Sequence, residues 1–271
     1  MAEKQSGKTV VNRYILDKWV SIDPFVAGVV KELESDEEVR ALLEMSNVNA
    51  VKRLGYNDHG PVHARIVAGS AIELMHLLLA SKNPVQFSAL SHGTARSIND
   101  VKLILLLASY LHDIGNAVHR HLHEAVSSIL AKDIVDRFLV KFTEHTLHQR
   151  ILLRLEVLSA IYSTALEVPA LTLEASIIKL ADGLDMSEGR ARIPYKLGKI
   201  DMHSLSALNV KRVELSSSDT VPIIVSVYFG DMAGFFQVEK VLLPKLESGK
   251  LKGLVRVEVY DSVGKLVTSI F

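Results

Sequence analysis

The spacing of apolar residues constrains the fold of this chain more than any other feature of its sequence. From about Val10 to Met186, successive segments carry apolar residues at three- and four-residue intervals, with little of the alternation that is typical of strands. This spacing predicts a mainly α domain built from consecutive helices. The segments with the clearest helical spacing are "AIELMHLLLASK", "DVKLILLLASYLHD", "HEAVSSILAKDIVDRFL", "ILLRLEVLSAIYSTALEV" and "EASIIKLADGLDM".

The pattern changes near Leu205. The segments "VKRVELSS", "VPIIVSVYF", "LVRVEVYD" and "KLVTSIF" are rich in valine and partly alternate, so they predict strands. Between the second and the third lies "GFFQVEKVLLPKL", which predicts a helix that Pro244 kinks. We therefore divide the chain into an N-terminal helical extension (residues 1–45), a helical domain (46–200) and a small α+β domain (205–271) of order strand, strand, helix, strand, strand.

Composition excludes several classes of protein. The 271 residues carry no net charge and include no cysteine. Balanced charge gives no support for general nucleic-acid binding, and the lack of cysteine excludes disulfides, thiolate zinc sites and cysteine nucleophiles. The longest apolar stretch, Leu103 to Leu111, is too short to span a bilayer, and the N-terminus has no secretory signal pattern. We expect a soluble, cytoplasmic protein without a membrane partner.

Candidate ligands are concentrated in "LLLASYLHDIGNAVHRHLHEAVSSILA", residues 105–131. His112 and Asp113 fall at the end of a predicted helix, and Gly115 lets the chain turn away behind them. Neighbouring positions on a helix point about 100° apart, so both residues can bind one ion only at the helix end. An imidazole beside a carboxylate suits manganese, iron, zinc or nickel.

Two further helices offer partners for this pair. Pro61 is well suited to the first position of a helix, which places His63 in the first turn. Asp182 interrupts an apolar helical run, where an unpaired carboxylate would be costly to bury and metal coordination would offset that cost. His59 precedes Pro61, and it need not share a face with His63.

Four of these residues resemble, in their order along the chain, the signature of a known family. They are similar to the H...HD...D pattern of the HD superfamily of metal-dependent phosphohydrolases, and "LHDIGN" and "KLADGLD" resemble its two most recognisable local contexts. The resemblance covers about residues 54–195 and implies a helical metal-binding domain. The ligands that it implies are His63, His112, Asp113 and Asp182.

Two later segments resemble the binuclear members of that family, such as HD-GYP cyclic-dinucleotide phosphodiesterases and HD proteins that hydrolyse dinucleoside tetraphosphates. The segments are "HEAVSSILA", which begins at His123, and "TEHTLHQ", which contains His145. This resemblance implies both histidines as ligands and Asp113 as a bridging carboxylate and catalytic residue, with one or two divalent ions bound. His119 would share a face with His123 if one helix included both. The residues that could replace these histidines or surround the ligands are His59, His119, His121 and His148.

The sequence departs from the family at Asn116, where many members carry a lysine. Any phosphate contact of that lysine must come from elsewhere, and Arg190 and Arg192 are the candidates because guanidinium groups suit phosphate oxygens. The chain also lacks a GYP motif and has a short segment between Asp113 and His123, which argues against cyclic di-GMP as the substrate.

The resemblance implies metal-dependent hydrolysis of a phosphoester or phosphoanhydride in a phosphorylated small molecule, with a nucleotide as the expected substrate. Two alternatives stay open: a di-iron oxygenase of the HD type, and a nucleotide-binding sensor without catalysis. The α+β domain has no recognisable catalytic set, so we assign it to dimerisation or to closing over the metal site. Its last strand would be an exposed edge, and self-pairing of such edges predicts a homodimer.

Overall fold

The structure, a computed structural model, describes residues 7–186, 206 and 208–270. It confirms a mainly α chain that ends in a small α+β part. A π-helical turn, Val48–Arg53, follows the third helix, and a 3-10 turn, Ile114–Ala117, follows the sixth. The helices before the C-terminal strands are α1 (Ile15–Ile22), α2 (Pro24–Ser35), α3 (Glu37–Asn47), α4 (Pro61–Leu79), α5 (Ser88–Ser91), α6 (Ile98–Leu111), α7 (His123–Phe142), α8 (Leu147–Tyr162) and α9 (Leu173–Leu184).

Helix α4 forms the centre of the bundle and packs against α1, α6 and α9. It begins at Pro61, where a residue without a backbone N–H loses no helical hydrogen bond. Most of its residues are buried, which explains why apolar residues occur on all faces of this helix. Within the part of the chain that the structure describes, α4 alone has the length and hydropathy to cross a membrane, but other helices of the fold enclose it.

Helix α6 carries His112 at its end. The side chain of Ser97 accepts the N–H of Asp100, and the carboxylate of Asp100 accepts the N–H of Ser97, so the two residues form a capping box. The helix ends at Leu111 and is buried along most of its length. The residues that follow it therefore enter the protein interior.

The C-terminal strands are β2 (Val210–Ser216), β3 (Ile223–Phe229), β4 (Val255–Tyr260) and β5 (Leu266–Ile270). Strands β2 and β3 are antiparallel, as are β4 and β5, whereas β3 and β4 are parallel because a helical segment connects them. The sequence did not predict β1 (Thr9–Val10), which pairs antiparallel with β2. The described residues form one sheet of order β1-β2-β3-β4-β5.

The helical segment between β3 and β4 is irregular. It comprises a 3-10 turn (Met232–Gly234), α10 (Phe235–Gln237), a π turn (Val238–Leu242) and α11 (Leu243–Glu247). Pro244 lies in the first turn of α11, directly after the π turn ends. The segment packs against α9, and one apolar core runs from the helical bundle into the sheet.

Candidate metal centre

Three helix ends bring four predicted ligands together in the interior. His63 lies in the first turn of α4. His112 follows the last residue of α6, and Asp113 comes directly after it. Asp182 lies in the last turn of α9. These ends converge because α4 packs against both α6 and α9, and the four side chains are buried or largely buried.

The donor atoms of these side chains surround one point. Nε2 of His63 lies 3.3 Å from Nε2 of His112. The same atom lies 3.4 Å from Oδ2 of Asp113 and 3.2 Å from Oδ1 of Asp182. Nε2 of His112 lies 3.5 Å from Oδ2 of Asp113 and 3.7 Å from Oδ1 of Asp182. Ligand atoms held about 2.1 Å from one ion are separated by roughly 3.0 to 3.4 Å, so this spacing fits a single divalent ion.

The second nitrogen of both histidines faces a hydrogen-bond acceptor. Nδ1 of His63 lies 2.7 Å from Oδ2 of Asp185, and Nδ1 of His112 lies 2.9 Å from the backbone oxygen of Ser109. Because an acceptor requires a donor opposite it, each ring carries a proton on Nδ1, and the Nε2 atom of a ring protonated only there has a free lone pair. Partners of this kind orient metal-ligating histidines in proteins. Both the chemistry of the donor atoms and the distances between them therefore fit a metal ion.

Asp113 connects this set with two further histidines. Its Oδ2 lies 2.6 Å from Nδ1 of His59, and its Oδ1 lies 3.1 Å from Nε2 of His123. Donor atoms of His59, His63 and Asp113 are close enough to form a second potential metal group. One carboxylate thus faces histidines through both of its oxygens, which is compatible with a bridging ligand.

The start of α7 decides which histidine of the His-rich segment reaches Asp113. Leu122 has a φ of 55°, a left-handed conformation that does not continue a helix, so α7 begins at His123. The condition under which His119 would share a helical face with His123 is therefore not met. His119 and His121 are exposed, and Nδ1 of His119 accepts the backbone N–H of His121.

Gly115 brings the turn after Asp113 against the first turns of α7. A Cβ atom at this position would overlap the backbone oxygen of His123, and the N–H of Gly115 donates to Oγ of Ser127 at 2.7 Å. Glycine is therefore needed here for the close approach of two backbones, and its φ is not in the left-handed region that would require glycine for the turn itself. This approach brings His123 to Asp113.

The structure does not bring His145 to the cluster. Its Nε2 lies 2.9 Å from Oδ2 of Asp100, in the first turn of α6, whereas His112 lies at the opposite end of that helix. The axis of α6 separates these positions by about 18 Å. His148 is exposed in the first turn of α8. His145 is therefore not placed to be a ligand of this centre.

The predicted phosphate contacts Arg190 and Arg192 lie outside the described residues. Another guanidinium group lies beside the cluster. Nη1 of Arg120 is 2.9 Å from Nε2 of His123 and 3.3 Å from Oδ1 of Asn116. Arg120 therefore places a positive charge close to Oδ1 of Asp113, the oxygen that faces His123.

Burial and neighbouring charge act in opposite directions on the two carboxylates. Burial alone would raise the pKa of Asp113, but His59 and His112 hold that pKa well below its usual range. Burial would also raise the pKa of Asp182, and Lys245 and His112 hold it well below its usual range. Both groups are therefore ionised at neutral pH, as metal ligation requires.

Among the described residues, Asp185 and Lys245 contact predicted ligands but were not identified from the sequence. Asp185 orients His63, and its spacing of three residues from Asp182 was a usable signal because such positions lie on one helical face. Lys245 belongs to α11, and its Nζ lies 2.6 Å from Oδ2 of Asp182. No local pattern indicated Lys245, since it comes from the part of the chain assigned to dimerisation or closure.

Two comparisons with known proteins indicate the family of the chain. The sequence profile of the HD domain matches residues 81–187. The uncharacterized protein MJ1020 of Methanocaldococcus jannaschii is 42% identical over 230 residues, which are 84% of this chain and 86% of that protein. The chain belongs to the HD domain family.

The part of the chain that matches the HD domain profile includes His112, Asp113 and Asp182. It begins after the end of α4, so His63 lies before it and joins the centre through the packing of α4. HD domains in general bind divalent metals and act as metal-dependent phosphohydrolases. No solved structure matches the chain.

Proposed function

We propose that this HD protein hydrolyses a phosphoester or phosphoanhydride of a nucleotide, with one or two divalent transition metals as cofactors. Manganese or iron is the expected metal, with zinc or nickel as alternatives. A bound divalent ion of this kind lowers the pKa of a coordinated water and offsets negative charge on the phosphate. The observation that carries the proposal is the convergence of nitrogen and carboxylate donors from His63, His112, Asp113 and Asp182.

The residues of the chain have distinct roles in this proposal. His63 and His112 would bind the ion through Nε2, since their Nδ1 atoms face other acceptors, and the ionised Asp113 and Asp182 would balance the charge of a divalent ion. Arg120 supplies a guanidinium group that suits the oxygens of a substrate phosphate.

Asn116 has a structural role, because its side chain contacts Asp113. Its Nδ2 lies 3.0 Å from the backbone oxygen of Asp113 and 3.2 Å from the Oδ1 atom of that residue. The side chain that replaces the lysine of many family members therefore fixes Asp113 in place. Phosphate recognition is left to other cations, with Arg120 as the described candidate and Arg190 and Arg192 as the candidates from the sequence.

The test uses full-length protein that has been freed of metal and then loaded with Mn²⁺ or Fe²⁺ without oxygen. Nucleoside mono-, di- and triphosphates, cyclic nucleotides, dinucleoside polyphosphates and p-nitrophenyl phosphate are supplied, and the products are separated by chromatography. We expect metal-dependent release of phosphate or of a nucleotide that Asp113→Asn abolishes. Asp133→Asn, a change of an exposed aspartate, should retain full activity.

The same samples separate the alternatives. Oxygen consumption by the Fe²⁺ form, without hydrolysis by the anaerobic Mn²⁺ form, would replace the proposal with an oxygenase. Nucleotide binding without turnover in either form would replace it with a sensor.

A further inference from the structure

Lys245 extends from the C-terminal segment to the metal centre. Its Nζ donates to Oδ2 of Asp182 at 2.6 Å and to the backbone oxygen of Thr164 at 3.3 Å. The side chain is only 11% exposed, so this contact is enclosed by protein. The ammonium group that neutralises a predicted metal ligand therefore comes from α11 and not from the bundle that carries the ligands.

Gly183 makes room for this contact. A Cβ atom at position 183 would lie 3.0 Å from Cδ of Lys245 and 3.5 Å from Cδ1 of Leu242. Gly183 lies in the last turn of α9, where an alanine would place its methyl group against the side chain of Lys245. The aliphatic part of the Lys245 side chain passes the backbone of α9 at Gly183.

The two oxygens of Asp182 have separate partners. Oδ1 faces the other ligands, 3.2 Å from Nε2 of His63, whereas Oδ2 accepts from Lys245. We propose that Lys245 is a positioning residue of the metal centre: by holding Oδ2 it fixes the carboxylate so that Oδ1 points to the ion. The C-terminal segment thereby becomes part of the centre.

This inference rests on the metal-binding part of the proposed function and is independent of the substrate. Lys245 could also affect metal affinity in the opposite direction. A lysine ammonium close to the ion repels it, so if repulsion outweighed positioning, removal of Lys245 would tighten metal binding. Outer partners of ligands typically change metal affinity by about 10- to 100-fold, which is large enough to measure.

The experiment titrates Mn²⁺ alone into metal-free, full-length protein and follows the heat of binding. Lys245→Met keeps most of the stem and removes the donor, and Lys245→Arg keeps a charged donor. We expect the methionine variant to bind Mn²⁺ at least about tenfold more weakly and the arginine variant to recover most of the affinity. The matched control is Lys240→Met in the preceding π turn, where the ammonium is exposed and contacts Glu239, and it should bind as the wild type does.

Gly183→Ala provides a second, independent variant. It keeps the lysine but pushes against its stem, so it should also weaken Mn²⁺ binding, and it should do so less when position 245 is alanine. Unchanged or tighter binding in Lys245→Met would overturn the inference. If Lys245→Met does not fold, wild-type affinity in Gly183→Ala would overturn it instead. Weaker Mn²⁺ binding in a protein that hydrolyses no phosphate would support it and disprove only the proposed activity.

Discussion

Nε2 of His123 lies 3.1 Å from Oδ1 of Asp113, on the carboxylate whose other oxygen lies 3.4 Å from Nε2 of His63. A carboxylate shared in this way can bridge two ions. We expect two metal ions per chain after loading with manganese or iron, and one in His123→Ala. Elemental analysis of desalted protein measures the ratio, and a wild-type value of one that is unchanged in the variant would leave a mononuclear centre.

Asp113→Asn should abolish metal binding. The substitution removes a charge that contacts His59, His63 and His112, and an amide is a poor ligand for a borderline ion. Calorimetric titration with Mn²⁺ should detect no binding, while circular dichroism should show a folded helical protein. Full occupancy in this variant would show that the ligands have been assigned incorrectly, and Asp133→Asn serves as the charge-matched control.

His145→Ala should leave the metal content unchanged and reduce stability. The imidazole pairs with the buried Asp100, so its loss removes a hydrogen bond worth about 1 kcal/mol at the start of α6. Metal analysis and urea unfolding measure the two effects separately. His148→Ala, at an exposed position three residues later, should change neither quantity. A lower metal content in His145→Ala alone would restore the role that the sequence implied.

The acid sensitivity of folding should depend on Asp23. Burial would raise its pKa, but a hydrogen bond from Lys102 and the N–H groups of Val26 and Phe25 lower it below 3.8. A carboxyl whose pKa is lower in the folded state contributes stability above its unfolded pKa and loses it as the pH falls through the folded value. Asp23→Asn keeps a capping acceptor without the charge. Its deficit in urea unfolding should be constant above about pH 5 and shrink below about pH 4; a deficit that does not vary with pH would contradict this.

A homodimer should form through β5. Within the described residues this strand is an edge of the sheet, and Leu266 and Val267 are about half exposed. Exposed apolar edges are usually paired or protected by charge. We expect the full-length protein to be dimeric at micromolar concentration by light scattering, and Val267→Lys to be monomeric. Val263→Lys, in the adjoining turn, should remain dimeric, and a monomeric wild type would exclude the interface.

Local patterns were sufficient to predict the helical part and the order of strands and helix along the C-terminal part. Helical spacing and the proline at position 61 reported directly on buried faces and on helix ends. His63 and Asp182 were candidate ligands because the first lies at the start of an apolar helix and the second interrupts one. The resemblance to a family implied that these residues are ligands of one site, which spacing alone does not indicate.

The remaining features depend on contacts between distant parts of the chain. The partner of His145 is Asp100, at the far end of α6, and no pattern around the histidine specifies that pairing. The choice of His123 over His119 follows from the left-handed backbone of Leu122, a residue type that rarely adopts it. Lys245 meets Asp182 only because α11 packs on α9.

Strand β1 also has a consequence for how the protein is made. Thr9 and Val10 pair with Leu215 and Glu214, so β1 has no strand partner until about 200 further residues have been synthesised. The helical bundle can assemble during synthesis, since its contacts lie within residues that are already available. Closure of the sheet on the β1 side must wait until β2 has been made, so the hydrogen bonds between the two strands form after the bundle can assemble.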